Sequence, residues 1–273
     1  PDVFVITPAF RKDRVVAFVV SIVHHMDFGG RLSTPEAREI YEEGLRLPPQ
    51  KLLKQGEENA ELFEMIRWNV RVADKVIGDL RAQVTATHVG AKRIEGMLEE
   101  KGWDDLDALG EELLNRTEAA MRDAIRDVPD GHYEYEMLVD QHRGEDIIIR
   151  MGIDVAGDEM HIDYTGTTDQ IDRAINVVFN YTNAHTIYAV KCALARVLPS
   201  NEGCLRPIKV TAASGSIVNA EFPISVNQRS QIGHLLPELV FQALAPVIPD
   251  QVIAGSGSTP LWSHLISGSF ADK

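Results

Sequence analysis

His24, His25 and Asp27 place two imidazoles and a carboxylate close together in the chain. They follow the apolar run 15–20, which is typical of a buried strand, and precede the glycine pair 29–30. The strand would hold the side chains in place, and the glycines would let backbone or ligand approach closely. Imidazole binds mid-series divalent metals well, and its unperturbed pKa lies near neutrality. The pattern indicates a metal or acid–base site; the alternative is a core histidine bonded to a backbone carbonyl.

Asp2 is a candidate partner for these imidazoles. Residues 3–7 and 14–23 are predicted to form two strands joined by a charged turn. If the strands pair, Asp2 approaches the imidazoles, and the mixed site suits Mn, Fe or Zn better than Ca. Asp27 would then orient a ligating histidine through its outer ring nitrogen. The alternative for Asp2 is a solvated terminal residue.

The composition restricts the class of protein. A formal net charge of −14 argues against nucleic-acid binding, which needs a basic surface. No signal peptide and no apolar stretch of about 18 residues is visible, so we expect no membrane association. Cys192 and Cys204, without a CxxC motif, indicate reduced thiols. These features predict an acidic cytoplasmic protein.

Helical and strand patterns are segregated along the chain. Residues 73–101 carry a long apolar stripe, and 106–127 form a second predicted helix, so we expect an antiparallel helical hairpin. From His132 the apolar period changes to two, which is typical of an antiparallel meander. We therefore predict an α+β fold in two parts: metal-site strands and helical hairpin at 1–130, and a β-rich region with helices at 131–273. Further helices are predicted at 33–44, 57–70, 183–198 and 235–245, and strands near 208–211 and 217–218.

Three other segments contain residues of types that can do chemistry. The polar turn 163–168 could contact a phosphate or a substrate carbonyl, or could simply be the exit from a strand. The small-residue loop 255–258 lacks the Lys-Ser/Thr of a phosphate-binding loop, so no nucleotide site is predicted. Cys204 has no base placed beside it by sequence and is expected to be structural.

Several motifs together resemble the hydantoinase B/oxoprolinase family. They are the segments 24–30, 43–52, 69–71, 78–83, 163–167 and 201–208, which occur in the family's order and cover nearly the whole chain. The resemblance implies a B-type chain that pairs with an A-type chain, which binds ATP. Known activities of the family are ATP-dependent opening of cyclic amides and carboxylation of ketones such as acetone. Family members are about twice this length, so we expect a central fragment.

The resemblance also implies a metal site. Carboxylase relatives hold Mn in the B-like chain through a His-x-x-Asp motif, a later His and an upstream Glu. Asp2 matches the Asp of that motif and His24 the later His, whereas the motif's own His and the Glu would precede Pro1. We expect a divalent metal (Mn, Zn or Fe) bound by Asp2 and His24, with His25 and Asp27 in acid–base or supporting roles.

These features predict a B-type subunit of an ATP-dependent cyclic-amide hydrolase that binds the substrate carbonyl beside the metal. Two alternatives stay open. One is the B-like subunit of a ketone carboxylase, and the other is a non-catalytic scaffold for the A-type chain.

Overall fold

The computed structural model describes residues 2–31 and 34–254 and confirms the predicted α+β class. The strands are β1 (Asp2–Arg11), β2 (Arg14–His24), β3 (Leu53–Lys54), β4 (Glu57–Glu58), β5 (Gly131–His142), β6 (Glu145–Ala156), β7 (Glu159–Asp163) and β8 (Ile208–Thr211). The α-helices are α1 (Ala60–Asn69), α2 (Ala73–Lys101), α3 (Asp107–Arg126), α4 (Phe179–Leu194), α5 (Ser230–Gly233) and α6 (Leu236–Leu244). The chain divides into two compact units, Pro1–Leu113 and Leu114–Lys273, at a boundary inside α3.

Unit 1 is built on the antiparallel pair β1–β2, which α2 covers on one face. The pairing register sets Asp2 opposite His24. Helix and sheet come unusually close at Gly90 of α2, where an added Cβ would lie 2.7 Å from a methyl carbon of Val19. Gly102, with φ of +67°, ends α2 in the left-handed conformation that glycine adopts without a steric penalty.

The apolar stripe of α2 packs against β1, β2 and α1 in the described structure. The stripe includes Val76, Leu80 and Ala91, all buried. The periodicity of a helix predicts that one face is covered but does not identify the covering element. Here the strands β1 and β2, with α1, cover that face.

Unit 2 contains a four-stranded sheet in the order β5-β6-β7-β8. The predicted meander is confirmed, because β5, β6 and β7 pair antiparallel. β8 adds in parallel to β7, and this pairing was not predicted. Alternate residues of β6, from Ile147 to Val155, are buried in a core shared with α4 and α6.

The helices predicted at 57–70 and 183–198 have other bounds in the structure, Ala60–Asn69 and Phe179–Leu194, and two further predicted elements are not formed as predicted. In the described part of 33–44, only the 3-10 turn Ile40–Glu42 is helical. The carboxylate of Glu42 accepts hydrogen bonds from the backbone N–H groups of Arg38 and Glu39, which satisfies these donors without a helix. Residues 217–218 form no strand, since only isolated bridges occur nearby.

The predicted loop 255–258 lies outside the described residues. No helix in the described part of the chain is both long enough and apolar enough to cross a membrane.

Ile153 tests the core of unit 2, because its side chain in β6 is fully buried. Ile153→Ala removes apolar burial and leaves a cavity, so we expect a loss of about 2–5 kcal/mol in the free energy of unfolding. Val197→Ala is the control, because this residue is 95% exposed. It should change the free energy of unfolding by less than about 0.5 kcal/mol. Urea denaturation measures both, and equal effects would contradict the assigned core.

Candidate functional site

Asp2 and His24 form a pair at the open end of the β1–β2 ribbon. Asp2 Oδ1 and His24 Nδ1 are 3.0 Å apart, and the His24 side chain is 75% exposed. The sequence predicted this approach on the condition that the strands pair, and they do. A ligand that approaches this pair from solvent therefore contacts one carboxylate oxygen and one imidazole.

His25 takes the opposite direction and lies in the interior of unit 1. Its ring is fully buried, and its Nε2 is 2.9 Å from Gln83 Oε1 of α2. Gln83 uses its Nε2 to donate to the carbonyls of Val3 and Ser21, so its oxygen accepts and His25 Nε2 carries the proton. The His25 Nδ1 atom has no hydrogen-bond partner in the described structure. His25 thus helps to join α2 to both strands, and the structure does not bring its ring to the Asp2–His24 pair.

Asp27 fixes the loop that follows β2. It was predicted to orient a metal-binding histidine, but its side chain bonds to Arg71 and Gly29 instead. Its side chain is 6% exposed, and Oδ1 accepts from Arg71 Nη1 at 2.6 Å and from the Gly29 N–H at 3.1 Å. The Arg71 backbone N–H donates to Oδ2. Burial by itself raises the pKa of Asp27, but the hydrogen bonds and the charge of Arg71 outweigh burial and lower that pKa below 3.8.

A cavity of about 380 Å³ lies beside this loop. Three glycines (Gly29, Gly30, Gly44) line it together with Tyr41, Arg46 and Asn69. Sequence reasoning missed the cavity. The only local signal was the glycine content of segments 24–30 and 43–52, and neither segment indicates by itself that it meets the other.

Backbone hydrogen bonds join the two cavity loops. Leu45 N donates to Phe28 O at 2.8 Å, and Arg31 N donates to Glu42 O at 2.7 Å. Arg71 Nη2 also donates to the carbonyl of Gly30. The cavity walls are therefore held by main-chain hydrogen bonds together with the side chain of Arg71.

The polar turn after β7 is satisfied within its own unit. Thr211 Oγ1 donates to Asp163 Oδ1 at 2.6 Å, and Thr167 Oγ1 donates to Arg150 O at 3.0 Å. These contacts fit a strand exit better than a ligand site. Cys204 is buried with its Sγ 2.9 Å from Pro199 O, as expected of a structural cysteine.

No group of three or more His, Cys, Asp or Glu side chains within residues 2–31 and 34–254 is arranged to hold a metal ion. Asp2 and His24 are two donors only. Two donors bound at right angles to an ion, each about 2.1 Å from it, would be about 3.0 Å apart, so the observed separation fits two neighbouring positions of a coordination sphere.

Asp27 provides a test of the loop. Asp27→Asn removes the charge that faces Arg71 and should lower the free energy of unfolding by about 1–3 kcal/mol. Because the folded-state pKa of Asp27 is lowered, its stabilisation is present above the unfolded pKa and is lost as the pH falls through the folded pKa. The difference between wild type and variant should therefore shrink below about pH 4 in urea titrations.

Asp74→Asn is the matched control, since Asp74 pairs with Arg67 at 2.9 Å but is 95% exposed. It should cost less than about 1 kcal/mol. If the two variants had equal costs at neutral pH, Asp27 would not hold the loop.

The sequence and fold match known proteins along nearly the whole chain. The Hydantoinase B/oxoprolinase family model matches residues 1–271. A Pseudomonas sp. (strain NS671) protein, provisionally named as the B component of a D-/L-hydantoinase, is 34% identical over 94% of this chain and 46% of its own length. The beta chain of the caprolactamase of Pseudomonas jessenii is 32% identical over 92% of this chain and 44% of its own. The chain thus spans less than half the length of these relatives.

Two solved structures share the fold. The ATP-dependent caprolactamase of Pseudomonas jessenii has a TM-score of 0.85 and 31% identity, over 92% of this chain and 44% of its own. Acetone carboxylase, in a nucleotide-free structure, has a TM-score of 0.80 over 93% of this chain and 37% of its own, but only 15% identity, so it supports the fold alone. By sequence and by structure, this chain belongs to the hydantoinase B/oxoprolinase family.

Proposed function

We propose that this chain is part of the B-type subunit of an ATP-dependent cyclic-amide hydrolase, in which Asp2 and His24 bind a divalent metal. The observation that supports this proposal is the pair of Asp2 and His24 on two paired strands. The carboxylate oxygen of Asp2 lies 3.0 Å from the exposed imidazole of His24. Family membership adds the reaction class, because similar proteins are named caprolactamase, 5-oxoprolinase and hydantoinase.

The donor set suits the metals that the sequence predicts. One imidazole nitrogen and one carboxylate oxygen favour Mn, Fe or Zn over Ca. When bound, such an ion supplies Lewis-acid polarisation of a substrate carbonyl. The pair leaves the remaining coordination positions to water, substrate or ligands beyond the described residues.

The chain's own residues would hold the two ligands in place. The register of β1 with β2 fixes Asp2 opposite His24, and Gln83 bonds the carbonyls of both strands to α2. The neighbouring loop is fixed by Asp27 and Arg71. A ligand pair on rigid elements needs little reorganisation when the metal binds.

ATP would be bound by an A-type partner chain. The similar hydantoinase and caprolactamase proteins are each named as one component of a larger enzyme, which implies further chains, and the caprolactamase structure is described as ATP-dependent. Ketone carboxylation is the weaker candidate, since likeness to acetone carboxylase rests on a shared fold at 15% identity.

Metal content tests the proposal. Wild-type protein should purify with near-stoichiometric Mn, Fe or Zn, and His24→Ala or Asp2→Asn should lose most of it, because each variant removes one of two ligands from this chain. His88→Ala, an exposed histidine on α2, is the matched control and should retain the metal. Elemental mass spectrometry measures all four proteins.

Turnover with the A-type partner separates catalysis from scaffolding. His24→Ala should abolish ATP-dependent opening of a cyclic amide while the complex still assembles in size-exclusion chromatography. A folded wild type without metal, or a His24→Ala variant that loses assembly and retains activity per complex, would contradict the metal mechanism and favour the scaffold.

A further inference from the structure

One face of the β1–β2 ribbon carries an apolar patch. Phe4 lies opposite Ile22 in the pairing register and Ile6 lies opposite Val20, so these four side chains share a face. Each of them is between 49% and 61% exposed. Val5 of the same strand points to the other face, which α2 covers, and is buried. We call this patch the apolar ribbon face; its six exposed side chains are Phe4, Ile6, Phe10, Phe18, Val20 and Ile22.

The apolar ribbon face is large for a surface that stays in water. A fully exposed aromatic side chain presents about 150–250 Å², so these six partly exposed side chains together present roughly 600 Å². The largest apolar patch of a typical monomer is about 300–600 Å² and is often functional. Natural edge strands are protected by charged side chains, but residues 3–10 and 15–23 contain no Lys, Arg, Asp or Glu. The composition of both strands is therefore typical of a covered sheet.

The edges of the ribbon are open as well. β1 and β2 pair with each other, and neither pairs with a third strand among the residues that the structure describes. Each strand therefore presents a row of backbone N–H and C=O groups along its outer edge. A two-stranded ribbon needs further strands or a packed layer for stability, and α2 supplies a layer on one face alone. An apolar face and open edges together indicate that further protein covers the ribbon.

The relatives of this chain contain enough additional protein to do so. The hydantoinase and caprolactamase relatives are each more than twice as long as the part that matches this chain. A separate chain is the poorer occupant, because a stable interface buries about 800 Å² on each partner and association costs translational and rotational freedom. An element of the same polypeptide avoids most of that cost, so a face of roughly 600 Å² suffices for it.

We propose that a segment of the full-length B-type subunit, outside residues 1–273, packs on the apolar ribbon face and encloses the Asp2–His24 pair. Asp2 and His24 lie opposite each other on this same face, two residues along the strands from Phe4 and Ile22. Two residues of a strand span about 7 Å, so an element that covers Phe4 and Ile22 also lies over the pair. Removal of bulk water would strengthen the electrostatic interactions of the pair with any ligand.

The inference rests on one part of the proposed function, that this chain is a portion of a longer subunit. It requires neither the metal nor the reaction, so both can be left out of the test.

Hydroxyl-radical labelling of the full-length subunit, without metal and without an A-type chain, tests whether the face is covered. Each residue's labelling rate is divided by its rate in the urea-unfolded subunit. Because labelling follows accessible area, a fall in the exposure of Phe18 from 65% to the 8% of Val5 should slow its labelling by about eightfold. Phe4 should be protected as well. Tyr188, which is as exposed as Phe4 in this chain, is the matched control and should keep its rate.

The same experiment tests the enclosure of the pair. His24 should be protected together with Phe4 and Phe18, whereas His88, an exposed histidine on α2, should label freely. Since no metal is present, protection of His24 cannot come from coordination.

A photoreactive benzophenone side chain at position 18 then identifies the occupant. A cross-link to a peptide outside residues 1–273 of the same polypeptide supports the proposal. A cross-link within residues 1–273, one to a second copy, which doubles the mass on a denaturing gel, or one that requires the A-type chain overturns it. Labelling of Phe4 and Phe18 at the rate of Tyr188, or of His24 at the rate of His88, overturns it too. A failure of the metal proposal leaves all of these outcomes unchanged.

Discussion

Unit 1 depends on the hydrogen bonds of the Gln83 side chain. One buried amide on α2 donates to carbonyls of β1 and β2 and accepts from His25, so it joins a helix, two strands and the loop that follows them. An isolated two-stranded ribbon is marginal in water, and this contact together with the apolar stripe of α2 holds the ribbon in place. The position of the Asp2–His24 pair follows from that arrangement.

The adjacent histidines acquire different roles because neighbouring residues of an extended chain point in opposite directions. His24 is exposed beside Asp2, and His25 is buried beside Gln83 and packs edge-on against Phe28 at a ring separation of 5.3 Å. One imidazole is thus available to a ligand, and the other contributes to the interior. Their spacing in the sequence suggested a shared site, but this geometry separates them.

A second constraint acts through the backbone. The loops that contain Gly30 and Gly44 approach so closely that only hydrogen atoms fit between them, and Asp27 with Arg71 fixes the first of these loops. The result is a cavity wall made of main chain where these two loops meet.

The sequence alone determined the features that arise from local patterns. The apolar stripe of residues 73–101 predicted α2 at its observed bounds, and the two apolar runs before His24 predicted the ribbon that brings Asp2 to it. The α+β class and the meander in unit 2 followed from the change of period near His132.

Only the tertiary structure decided which surfaces meet. It covered α2 with strands and added β8 in parallel to β7. It also buried His25 and brought together the loops at 28–31 and 42–46, which form the cavity. The physical reason is that periodicity reports which face of an element is apolar, whereas the partner of that face is selected by packing and by hydrogen bonds between residues far apart in the chain.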